Sequence, residues 1–156
     1  MIFNLKRSWT VVAFVMLFSG CYEEEAPEHG VARTATGIWV ASTLFAPAEE
    51  SGFDYLDWLS RAEAHEEEAL HKLFDYTISI KGTAFRQHGT VLLELLSRIG
   101  DENFAKSLSE ISNETRKAIA IALKAGTEEA RKPMLRKALS LSFPVTASVL
   151  EVTEEP

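Results

Sequence analysis

From Ala84 to Ile99 the apolar side chains return at the period of an α-helix. Ala84, Phe85, Val91, Leu92, Leu95, Leu96 and Ile99, with His88 among them, fall on one broad arc at about 100° per residue. A helix with so wide an apolar face must be covered by other elements. The chain holds a single cysteine, Cys21, so no internal disulfide can secure that cover. The fold has to be held by packing.

The rest of the chain supplies further helical segments. Ser51 is placed to cap a helix beginning near Phe53, with Leu56, Leu59, Leu70, Leu73, Phe74 and Thr77 on its inner face. Glu63 and Glu66 interrupt that stripe, which predicts a break near residues 61–66. Gly82 closes this unit. Gly100 suits the C-terminal cap of the 83–99 helix, and Asp101 the next N-cap. A short helix with Phe104, Leu108 and Ile111 inward follows. Ser112 or Asn113 starts another, expected to end at Gly126. Thr127 is read as capping a further segment, divided by Pro133, and Pro144 as ending the last helix. "GIWVASTLF", residues 37–45, is ambiguous and is read as a short helix. "VTASVLEV" is left open. The expectation is an all-α bundle of five to six short helices with no sheet. The helix pairs are solenoid-like by analogy alone, since no fixed repeat period is present.

The amino terminus is of another kind. Lys6 and Arg7 precede the almost wholly apolar run Trp9–Phe18, and Ser19 and Gly20 lead into Cys21. This is the layout of a secretory signal. The apolar run is about ten residues, where a spanning helix needs roughly 20. Leu17-Phe18-Ser19-Gly20-Cys21 resembles the lipobox of bacterial lipoproteins, with Phe18 standing where Leu is usual. The resemblance covers residues 1–21 only. It implies a diacylglyceryl group on the Cys21 thiol, cleavage before Cys21, and an acylated new N-terminus, with palmitate-type chains as the membrane anchor. It also accounts for an odd cysteine in an exported chain. Two or three acyl chains anchor far more firmly than one. Tyr22, in place of the Asp that retains such proteins at the inner membrane, implies the outer membrane facing the periplasm.

This divides the chain into a signal peptide (1–20), a lipidated acidic tether (21–36), a helical domain (37–150) and an acidic tail (151–156). Removing residues 1–20 from 156 leaves 136, enough for one core of ordinary size. Loss of Lys6 and Arg7 takes the formal net charge from −7 to −9, which argues against a nucleic-acid binder. "YEEEAPEHGVARTAT" is too polar for a core and is read as tether.

The motifs give little chemistry. In "HEEEALH", residues 65–71, the two histidines are six apart, about 240° round a helix, so one helix cannot aim both at one ion. Glu68-Ala69-Leu70-His71 matches the Glu-x-x-His of di-iron bundles, but those need it twice. The run is read as a solvated charged face, with no metal and no cofactor. His88 is read as a neutral core histidine with a hydrogen-bond partner rather than a ligand or catalytic group. Trp39, Phe53, Tyr55 and Trp58 are read as core rather than a ligand cage. No catalytic set can be assembled, and no small-molecule substrate is indicated.

Charge is distributed unevenly. Residues 21–102 carry six Lys/Arg against sixteen Asp/Glu, whereas residues 103–143 carry eight against four. Arg116, Lys117, Lys124, Arg131 and Lys132 are the candidate partner surface, for an acidic protein or lipid phosphates. The bland alternative is that they balance the acidic half of the same fold. The expected function is a lipid-anchored, periplasm-facing interaction module: a tether, pilot or assembly factor for an envelope component. The alternatives are an immunity or inhibitor lipoprotein against a toxin or hydrolase, and an enzyme of unrecognised type.

Overall fold

The computed structural model describes residues 31–150 of the chain. The signal segment, Cys21, residues 22–30 of the expected tether and the tail 151–156 lie outside the described residues. Within them the fold is all-α, apart from one two-stranded hairpin. The hairpin pairs β1 (Val31–Arg33) with β2 (Trp39–Ala41), antiparallel, with Arg33 opposite Trp39. A 3₁₀ turn, Ser42–Leu44, leads into α1 (Phe45–Glu50). Then come α2 (Tyr55–Glu63), α3 (Glu67–Ser79), α4 (Gly82–Ile99), α5 (Asp101–Ser109) and α6 (Asn113–Glu129). A second 3₁₀ turn, Pro133–Arg136, precedes the short α7 (Leu139–Ser142) and α8 (Pro144–Val149). Among the described residues, no helix is long and apolar enough to cross a membrane.

The hairpin corrects two expectations. Residues 31–36 are strand and turn rather than tether, and residues 39–41 are strand rather than helix. The reason is local. Gly37 adopts φ +98°, which side-chain-bearing residues rarely reach, and the turn closes with Gly37 N–H to Thr34 O at 2.9 Å. The Thr34 hydroxyl also accepts from the Ile38 N–H at 3.0 Å. Burial in β2 then alternates, Val40 inward between half-buried Trp39 and Ala41. Across the strands, the Arg33 guanidinium lies 4.8 Å from the Trp39 ring centroid.

The predicted break near 61–66 is present, with His65 at φ +65° between α2 and α3. The N-cap of α2 is Asp54, whose carboxylate accepts from the Asp57 N–H; Ser51 instead donates to carbonyls of α1. Ser112 caps α6 as expected.

Helix α4 is the axis of the fold. Its buried residues include His88, Gly89, the unbroken run from Val91 to Leu96, and Ile99, so it is covered on nearly every side. Phe74, Phe104, Leu59, Leu73, Leu108 and Ile119 complete the centre of the core. Each such side chain contributes about 1.5–3 kcal/mol through burial.

Helix α6 crosses α4 almost backbone to backbone. A Cβ on Gly89 would stand 1.9 Å from the Ala122 carbonyl oxygen, and one on Gly126 would stand 2.5 Å from the Gly89 carbonyl carbon. Gly126 is therefore an interior contact of α6, not its end. Thr127 lies inside the helix and donates to Lys124 O, rather than capping a new segment.

The C-terminal end differs from expectation in part. The helix before Pro144 ends at Ser142, as expected, and Pro144 also opens α8, so the segment left open is helical to Val149; the proline's fixed φ suits a first turn, and its missing N–H is no loss there. Asp101 serves that helix rather than its own. Its carboxylate accepts from Val145 N–H and Thr146 N–H, both at 2.8 Å. The α4–α5 junction is left to Gly100.

Candidate functional site

The basic segment expected from sequence separates into two groups. Lys117 and Lys124 lie on the outer face of α6, one turn to either side of Ile121. That isoleucine is 62% exposed, unusual for a large apolar side chain. Arg116 is half-buried at the first turn, and Arg131 is exposed just beyond the helix. None of these four cations makes an ion pair with another described residue. Lys117 and Lys124 thus flank an exposed apolar side chain. Beside it, Asn113, Arg116, Lys117, Val149 and Leu150 line a cleft of about 240 Å³.

Lys132 belongs to the other group. Its Nζ lies 3.5 Å from Glu94 Oε2, and the Glu94 side chain is only 6% exposed. That oxygen is closed off from solvent and receives no hydrogen bond. Lys132 thus offsets a buried carboxylate of α4 and is held within the fold. For this residue the bland reading of the charge asymmetry is the correct one. Glu94 was legible as the lone acid in "VLLELL", flanked by leucines, but nothing in the local pattern pairs it with Lys132.

His88 is a core residue. It is fully buried, with Nδ1 2.6 Å from the Tyr55 hydroxyl and Nε2 3.2 Å from Leu73 O. A carbonyl can only accept, so Nε2 carries the proton and Nδ1 accepts from the Tyr55 O–H. Thr77 Oγ1 is 3.1 Å from Nε2 and shares that proton. Burial lowers the His88 pKa to about 4, against the smaller opposing effect of the Leu73 hydrogen bond. Burial also pushes the Tyr55 hydroxyl well above its ordinary range. Both groups are neutral, and every polar atom of the imidazole is used.

Of the aromatic residues near the start of the domain, Phe53 and Tyr55 pack at this cluster, whereas Trp39 lies half-buried on the hairpin. Phe53 stacks on Tyr76 at 4.3 Å between centroids, and Tyr55 meets Tyr76 edge-on at 5.5 Å. Trp58 lies under Arg61, whose guanidinium is 4.4 Å from its ring centroid. An open groove of about 490 Å³ runs over Phe45, Ala48, Phe53 and Leu56.

A polar knot joins the hairpin to α2 and α4. The Glu63 side chain is 5% exposed; its Oε1 accepts from Thr34 Oγ1 at 3.2 Å and from Thr36 Oγ1, with Arg98 Nε at 3.8 Å. Arg98 also donates to Thr36 O. The acid that interrupts the apolar stripe of α2 is therefore used to seat the hairpin.

A groove of about 820 Å³ is lined by Ser97, Met134, Leu135, Lys137, Leu141 and Phe143. Met134 and Leu141 are strongly exposed there. Cys21, the expected lipid attachment site, lies outside the described residues. Against known proteins, the chain matches no protein-family model, no curated protein and no solved structure.

Proposed function

We propose that this chain is a lipid-anchored, periplasm-facing helical interaction module, a tether, pilot or assembly factor for another component of the cell envelope. The anchor is Cys21, at the lipobox-like end of the apolar run. The acidic residues after it form a spacer that an anionic lipid surface repels. The outer membrane is the site that Tyr22 favours.

The observation that carries the interaction reading is the outer face of α6. Lys117 and Lys124 are unpaired within the described residues and flank an isoleucine that the fold leaves uncovered. Exposed cations contribute little to folding, so their clustering about an apolar centre is better explained by binding. The partner is an acidic protein surface.

Affinity capture from detergent-solubilised membranes tests this. The parent chain should recover a stoichiometric envelope protein, and the triple variant Lys117→Glu, Lys124→Glu, Arg131→Glu should lose it. Recovery of a toxin or hydrolase instead would establish the inhibitor role. Equal recovery of one partner by parent and variant would remove this face from the account.

A further inference from the structure

Glu67 and His71 lie one turn apart on α3 and face Glu110, the residue that closes α5. A carboxylate oxygen from each glutamate and an imidazole nitrogen from His71 all lie within 4.8 Å of one another. His71 Nε2 is 3.7 Å from Glu110 Oε2, too far for a hydrogen bond. Donors about 2.1 Å from a shared tetrahedral ion stand roughly 3.4 Å apart, so small rotations of two exposed glutamates would bring the set into place.

Two features say that something belongs between these groups. His71 Nε2 is shut off from solvent yet has no hydrogen-bond partner, which is costly for a polar atom. A carboxylate oxygen of Glu67 and one of Glu110 also lie within 4.8 Å of each other, and like charges that close repel unless a cation stands between them. Lys106 approaches from the rim, with Nζ 3.4 Å from Glu67 Oε2, but its side chain is 67% exposed. It leaves the imidazole nitrogen unsatisfied.

We propose that Glu67, His71 and Glu110 form a three-ligand site for a divalent transition-metal ion of the zinc type, tying α3 to the end of α5. An imidazole with two carboxylates suits zinc rather than magnesium or calcium, which favour all-oxygen sets. Three protein ligands leave a fourth position open to water or to a donor from a bound partner. The local motif in "HEEEALH" does not reveal this site, because its third ligand comes from another helix.

The test uses the full chain in detergent micelles, titrated with zinc alone by calorimetry. One equivalent should bind and raise the melting temperature. His71→Ala and Glu110→Gln should each weaken binding at least about tenfold and abolish the thermal shift, with helix content unchanged. His29→Ala and His65→Ala should bind as the parent does. Cobalt substitution should give a visible absorption band that His71→Ala removes. Absence of saturable zinc binding would overturn the proposal. So would binding that survives His71→Ala, because the ion would then sit elsewhere.

Discussion

The two faces of α6 follow different rules. Its inner face carries Ile119, Ala122, Leu123 and Gly126, all buried, and meets α4 so closely that Gly89 and Gly126 leave no room for a methyl group. Its outer face carries Lys117, Ile121 and Lys124, all exposed. The inner residues are dictated by shape. The outer ones are free of structural demand, so an uncovered isoleucine between two cations there calls for another explanation. Substitutions on the two faces should therefore be tolerated very differently.

The largest effect should come from the crossing itself. Gly89→Ala and Gly126→Ala should each destabilise the fold by about 3 kcal/mol, because backbone rather than a flexible side chain must yield. On the outer face, Ile121→Ser should change stability by less than about 0.5 kcal/mol. Urea unfolding midpoints compare the three. A Gly89→Ala chain as stable as the parent would mean that the helices are not in backbone contact.

His88 adds a dependence on pH. Its folded pKa of about 4 is depressed from the ordinary 6.5, so the unfolded chain takes up a proton that the folded chain refuses. Its contribution is therefore complete above pH 6.5 and is lost as pH falls towards 4, by at most about 3 kcal/mol. His88→Gln should be less stable than the parent at pH 7, by about 2 kcal/mol, through imperfect replacement of the bonds to Tyr55 and Leu73. That deficit should shrink by about pH 4.5, where the parent has lost most of this contribution. Melting curves of both chains at the two pH values measure it, and a constant deficit would remove His88 as the titrating group.

Much of the fold could be read from sequence wherever the signal was local. The period of 83–99, the break after Glu63, the Ser112 cap and the Gly100 junction all follow from neighbours a few positions apart. What escaped depended on distant partners. Gly126 resembled a helix end because its reason, Gly89, lies on another helix. Asp101 resembled the cap of its own helix, but its carboxylate serves α8, 45 residues on at Thr146. The hairpin turned on the φ of Gly37. The candidate surface was equally mixed: the cations of α6 were legible from spacing, whereas Lys132 could be assigned only once Glu94 was seen beneath it.

That assignment sharpens the comparison between cations. Lys132→Met should cost about 1 kcal/mol, because Glu94 would keep its buried charge without a counter-ion. The figure is modest because the Lys132 side chain is 40% exposed and water screens the pair. Lys124→Met should cost almost nothing. Glu94→Gln added to Lys132→Met should restore part of the loss. A double-mutant cycle by thermal melting reads the coupling, and its absence would return Lys132 to the free surface.

The smallest effect on folding, and the most informative about function, belongs to the outer face. Reversing Lys117, Lys124 and Arg131 to Glu removes three positive charges that make no ion pair within the described residues. Exposed charges contribute about 0–1 kcal/mol each, and these have no described partner to lose. The melting temperature should therefore move little, and circular dichroism should show the parent's helix content. Association with an acidic partner should slow markedly, because charges at the rim of an interface chiefly set the encounter rate. The loss should be greater at low salt, where the parent gains most from attraction, and should narrow as added salt screens both chains alike. A reversed chain that melts well below the parent yet associates at the same rate would show that these cations balance the acidic half of the fold, as Lys132 does.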